Sequence, residues 1–330
     1  AVLSTSRHAA VTMPSHSRVM MRGGKQQERP MPASPAPFRV DMTARGLQFD
    51  RPALREALAA LPASAPVVVM IHGYRFAPDA DGNCPHRHIF SLSPPRDDWT
   101  ALSWPRHLGA SGLSIGFGWP AQGMLLGASL RARAAGRGLA ELAAVIRALN
   151  PARPLHVIAH SLGARVALAA LTHAAPQDFS RLILLSGAET RGPAYRAMTS
   201  PAGRAVQVFN ITTRENDLFD FLYEWLAAAG LDTAIGQGLR EALPNWLDVQ
   251  IDHPATLTAL ARLGHRLPPP PARICHWSAY LRPGAFGLYR RLLEGGISQP
   301  ELRAALPAQT DPRWSRLWQK PRSAQIAGCV

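Results

Sequence analysis

The feature that most restricts how this chain can fold is a series of short apolar runs separated by stretches of helical periodicity. The runs are "PVVVMIHGY" (66–74), "LSIGFGW" (113–119), "LHVIA" (155–159), "RLILLS" (181–186), "AVQVFNI" (205–211) and "DVQID" (248–252). Several are continuously apolar, without polar residues at alternate positions, as parallel strands require when helices cover both faces. Helical patterns fill the intervals: "RPALREALAALP", 122–149, 162–173 and the segment after 217, with "FRVDM" and "GLQF" forming an opening hairpin. The expected fold class is therefore α/β, a doubly wound, mostly parallel sheet flanked by helices.

One domain over residues 37–295 accommodates these elements. Residues 1–36 are polar, Pro-rich and without periodicity, so they read as a disordered tail. Residues 296–330 read as a C-terminal extension, and "GHRLPPPPAR" (264–273) as a stiff extended connector.

The formal charge is +14, which raises the question of a polyanionic partner. The positive charge is almost all arginine, Lys25 and Lys320 being the two lysines, and it is scattered without dense basic runs interleaved with aromatics. Nucleic acid is not an expected partner. Three cysteines, Cys84, Cys275 and Cys329, close no disulfide framework and suit a reducing cytoplasm. The first residues show no apolar signal-peptide core, and no run approaches about 18 apolar residues. Neither secretion nor stable membrane insertion is expected; the oligomeric state is left open.

The stretch "PLHVIAHSLGARVALAAL" (154–171) passes from a buried strand straight into a helix at Ser161. Such a corner is strained, so small residues must flank it, and Ala159 and Gly163 stand two residues to either side. That is the spacing of a nucleophile elbow with alanine at its first glycine position. The competing reading makes Ser161 an ordinary helix N-cap. Upstream, His72-Gly73-Tyr74 closes another strand. An acyl-transfer site needs N–H donors aimed at a developing oxyanion, and the backbone of Tyr74 and of Leu162 would supply them, with Gly73 permitting close approach. His72 reads as a structural hydrogen-bonder, and Arg75 is a neighbour of this turn.

With "HGY" at 72–74, "GWP" at 118–120 and "AHSLG" at 159–163, the chain resembles the α/β-hydrolase superfamily. Within it, the chain is similar to a bacterial branch with H-G-Y after the third strand, W-P after the fourth and A-H-S-[LM]-G at the elbow. The resemblance implies a serine hydrolase acting on an ester or related acyl substrate through an acyl-enzyme, with no cofactor. It places His160 and Gly163 as supports of the nucleophile Ser161. It also places the acid after "AVQVFNI" and the base near the chain's end. Asp217 holds the acid position, with Glu215 and Asp220 as competitors. His276, in "CHWSAY", holds the base position, with His253 as the alternative and His265 a weaker one. An acyltransferase on the same triad and a non-catalytic binding protein are the other readings.

Cys84, His86 and His88 lie within five residues and lack a second cluster, so no metal site is expected. Two longer segments, 75–111 and "LFDFLYEWLAAAGLDTAIGQGLREALPNW" (218–246), are expected to frame the pocket, the second equally well as an amphipathic helix on the core.

Overall fold

A computed structural model describes residues 35–109 and 111–318. The expected tail lies outside the described residues for positions 1–34, as does Cys329. The strands, in chain order, are β1 (Phe38–Thr43), β2 (Gly46–Gln48), β3 (Val67–Ile71), β4 (Leu113–Gly118), β5 (Leu155–His160), β6 (Arg181–Leu185), β7 (Gln207–Thr212) and β8 (Trp246–Gln250). They form one sheet in the order β2-β1-β4-β3-β5-β6-β7-β8. Every neighbouring pair is parallel except the β1–β2 hairpin. The mostly parallel, helix-flanked sheet is the α/β-hydrolase fold.

The helices are α1 (Arg51–Ala59), α2 (Trp104–Leu108), α3 (Leu125–Leu149), α4 (Leu162–Leu171), α5 (Arg191–Thr199), α6 (Pro201–Ala205), α7 (Asp217–Ala228), α8 (Pro254–Arg262), α9 (Ser278–Leu281), α10 (Ala285–Leu293), α11 (Gln299–Ala305) and α12 (Ser315–Trp318). They divide into two layers because the central strands are buried on both faces. One core packs alternate residues such as Val67, Val69 and Ile71 against α1, α3 and α4. The other packs Val68 and Met70 together with residues of α2, α8, α10 and α11. Small inward residues, Ala128, Ala132, Ala135 and Ala143, line the buried face of α3. Residues this small let a helix approach its neighbours closely and gather dispersion contacts along its length.

Two boundaries differ from the sequence expectation. β8 begins at Trp246 and ends at Gln250, because Asp252 leaves the ladder and accepts the Arg214 N–H at 2.9 Å. The C-terminal extension contributes to the body: α11 opens with a Ser298–Glu301 capping box, and Leu302 is fully buried in the second core.

Topology sets the site. β5 lies between β3 and β6, with Ala159 paired to Ile71 on one side and Leu184 on the other. The carboxyl ends of β3, β5, β6 and β7 therefore open onto one crevice, where ligands bind in sheets of this kind.

Candidate active site

At the end of β5 the chain turns through Ser161 with φ 55° and ψ −125°, a conformation that a non-glycine residue holds at a cost of about 1–3 kcal/mol. Surrounding bonds impose it. Ser161 N–H donates to Leu185 O at 3.0 Å, while Ser161 O accepts from Ala164 and Ala188 N–H at 3.0 and 2.9 Å. The elbow also lies tight against β3. A Cβ at Gly163 would stand 2.7 Å from Ile71 O and 2.8 Å from His72 O. A Cβ at Gly73 would stand 2.8 Å from Ser161 Cβ. The Ser161 side chain makes no capping bond to α4, so the strain is not explained by an N-cap.

The His72-Gly73-Tyr74 turn is locked to the segment after β4. Trp119 N–H donates to His72 Nε2 at 3.0 Å, and Trp119 Nε1–H donates to His72 O at 3.1 Å. The His72 ring is thus a neutral tautomer carrying its proton on Nδ1, 2.8 Å from Gly73 O. Burial drives its pKa down to about 3. His72 is structural, and the "HGY" and "GWP" segments are parts of one joint. Tyr74, whose hydroxyl donates to Gly123 O, lines the cavity with Ser161 and Leu162. The Leu162 N–H belongs to the first turn of α4, where a helix leaves its donors unpaired.

His276 reaches the same cavity from the irregular segment before α9. Its Nδ1–H donates to Asn216 Oδ1 at 2.6 Å, which leaves Nε2 as the basic nitrogen. Burial, with His160 nearby, holds the His276 pKa well below the usual histidine value. Phe219 stacks on the imidazole at 4.7 Å, and His160 Nε2–H donates to His276 O at 3.1 Å. Desolvation lowers the His160 pKa to about 4. The loop is stapled to the end of β7 by Glu215. Cys275 N–H donates to Glu215 O at 2.9 Å, and the Glu215 carboxylate accepts from Ser278 Oγ and, at 2.6 Å, from Arg282 Nη2.

The position facing His276 Nδ1 is held by Asn216, not by Asp217. The Asp217 carboxylate turns to Gln237 Nε2 at 3.2 Å, Trp314 N–H at 2.7 Å and Arg214 Nη1 at 3.2 Å. The physical reason is rotational: Asp217 is the first residue of α7, and one residue along a helix turns a side chain by about 100°. Asn216 is itself anchored, its Nδ2 donating to Asp220 Oδ1 at 2.9 Å. Because the amide nitrogen is used on Asp220, the amide oxygen serves the imidazole. Asp220 is buried, and desolvation raises its pKa to about 8 against the nearby Arg214 and Arg313. A search for an acid passes over Asn216; its signal was its place in "REND", directly after the strand end.

Other candidates lie apart from the cavity. His253 caps α8, with Nδ1 3.4 Å from Thr256 Oγ1, and His265 follows α8. His86 and His88 bond Asp41 and Asp98 at 2.7 and 2.8 Å, and Cys84 is a buried free thiol. Among the described residues no group of three or more His, Cys, Asp or Glu is placed to hold a metal ion.

The cavity holds about 330 Å³. Its walls are mostly apolar and aromatic: Phe76 and Ile89 come from the 75–111 segment, Phe219 and Tyr223 from α7, Trp277 from the His276 loop and Tyr280 from α9. Ser186, at φ 44°, adds a buried hydroxyl with no hydrogen-bond partner among the described residues.

Residues 54–188 match the model of a family described as alpha/beta hydrolase of unknown function (DUF900). This partial match, with the mostly parallel sheet, supports the α/β-hydrolase superfamily. No curated protein matches the chain in sequence. The matched segment runs from within α1 through Ala188, so it carries the β3 turn and the elbow but ends before Asn216 and His276. Among the described residues, no helix is long and apolar enough to cross a membrane.

Proposed function

We propose that the protein is a serine esterase that cleaves a carboxylic ester, or a related acyl substrate, through an acyl-enzyme on Ser161. The reading rests on one observation above all. A strained serine that caps nothing shares a cavity with a neutral histidine whose Nδ1 is already committed to Asn216.

The chemistry follows from protonation states. A serine hydroxyl is a poor nucleophile at neutral pH, so Ser161 Oγ attacks the ester carbonyl as His276 Nε2 takes its proton. The tetrahedral oxyanion is met by the Leu162 and Tyr74 N–H groups. The imidazolium, held through Nδ1 by Asn216, returns the proton to the leaving alkoxide, and the acyl group stays on Ser161. Water then attacks the acyl carbonyl as Nε2 takes its proton, and the acid is released when the acyl–Oγ bond breaks and Ser161 Oγ takes that proton back from Nε2. Asn216 replaces the usual carboxylate, so the imidazolium is stabilised by an amide dipole backed by Asp220. The apolar walls suit an acyl chain or an aromatic group.

Ser161→Ala keeps a small residue at the elbow and should reduce p-nitrophenyl butyrate hydrolysis to near background with the fold unchanged. Retention of more than about a tenth of the wild-type rate would contradict the proposal, because losing a nucleophile costs orders of magnitude.

A further inference from the structure

Helix α7 is inside out. Its acids, Asp217, Asp220 and Glu224, are buried, while Leu218, Phe221, Leu222, Trp225 and Leu226 face solvent. The exposed residues recur at i, i+3, i+4, i+7 and i+8, one continuous helical stripe. Each buried acid has a partner: Arg214 for Asp217, Asn216 for Asp220 and Arg313 for Glu224. The inward polar face is thus settled; on the outward face Phe221 meets Trp314 and the Arg313 guanidinium, while Leu222, Trp225 and Leu226 stay about half exposed among the described residues.

The stripe extends onto α3. Ser129 Oγ lies 3.3 Å from Tyr223 OH, joining the two helices, and Leu125, Phe219 and Tyr223 on their inner sides line the cavity of Ser161. The outer positions of the same α3 turns, Leu126 and Leu130, are about half exposed, and Met124 just before them is 84% exposed. Along that face the next exposed residues, at the same 3–4 spacing, are Arg133 and Arg137. On the helices whose inner sides line the cavity, an apolar outer surface therefore passes into a basic one.

We infer that this face of α3 and α7 adsorbs to an anionic lipid surface, presenting the Ser161 cavity to acyl groups held in that surface. Apolar residues and a tryptophan that enter a bilayer interface, flanked by arginines at headgroup depth, are the arrangement that binds anionic bilayers. Charge argues against a second copy as the occupant, since each chain carries +14 and two would repel. The adsorption stands apart from the esterase reading, which it uses only for the role of the cavity.

The two can be tested separately by using full-length Ser161→Ala in cosedimentation with phosphatidylcholine vesicles, with or without phosphatidylglycerol. The expected result is binding to the phosphatidylglycerol vesicles that weakens with salt. The double variant Leu222→Asp/Trp225→Asp should weaken it by about tenfold or more. Arg133→Gln and Arg137→Gln should each weaken it by about fivefold. All four positions are solvent-exposed, so circular dichroism and melting should be unchanged. In the Ser161 background, Leu222→Asp/Trp225→Asp should leave turnover of a soluble ester intact. Three outcomes would overturn the inference: no binding to phosphatidylglycerol vesicles, binding indifferent to the α7 double substitution, or a dimer in analytical ultracentrifugation that the double substitution dissociates.

Discussion

Asn216 and Asp217 are adjacent in sequence and make opposite predictions. The single bond from His276 Nδ1 to Asn216 Oδ1, 2.6 Å long, is partly buried, with Asn216 itself fully so. With a neutral imidazole such a bond is worth about 0.5–1.5 kcal/mol, rising to about 1.5–3 kcal/mol when the ring becomes charged. The difference, about 1–2 kcal/mol, acts only in the transition state and corresponds to roughly 5–30-fold in kcat. Loss of the tautomer and of ring orientation adds to it, so Asn216→Ala should lower kcat by about 10–100-fold. It also leaves Asp220 without its amide donor, at a stability cost of about 1–3 kcal/mol. Asp217→Asn keeps its shape beside Gln237 and Arg214 and should change kcat by no more than about threefold. The assay is p-nitrophenyl butyrate hydrolysis at saturation, with circular dichroism to confirm folding. A loss above about a hundredfold in Asp217→Asn, with Asn216→Ala near wild type, would refute the reasoning.

Three further outcomes follow from the same geometry. His276 must be neutral to accept a proton, and its pKa is depressed by burial; kcat/KM should therefore rise through a midpoint below about 6.5 and stay flat through neutrality, a midpoint at or above that value counting against it. Asp220 keeps its proton in the folded protein up to about 8 but ionises near 3.8 when unfolded. Its contribution to stability is thus complete below the unfolded value and lost as pH rises through about 8, and Asp220→Asn should lose less Tm than wild type between pH 5 and pH 9. Glu215→Ala strands the buried Arg282 guanidinium and frees the His276 loop; urea unfolding should show a loss of about 3–5 kcal/mol.

The strands and the elbow were legible because burial on two faces writes itself as continuous apolar runs, and because a strained corner demands small neighbours such as Gly163 and Gly73. His276 was legible from its texture near the chain's end, whereas His253 beside Pro254 reads as the helix cap it is. Asn216 was hidden for two reasons. The chemistry sought there was a carboxylate, and the sequence does not say where α7 begins, so it does not say which of two adjacent residues faces the imidazole. The α7 stripe was visible as a period, but a hydrophobic period normally faces the core. The reversal depends on Arg313, remote in sequence, which takes Glu224 inward, and on Arg214, whose side chain is turned to Asp217 by the 3-residue turn before α7.

The central claim is that Ser161 is a nucleophile activated by His276. The most direct measurement is reaction of the intact protein with a fluorophosphonate, followed by peptide mapping of the adduct. A single phosphonyl group on the peptide carrying Ser161, formed far more slowly in His276→Ala, is the expected result. Folded wild-type protein left unlabelled, or labelled at another residue while Ser161 stays free, would contradict it.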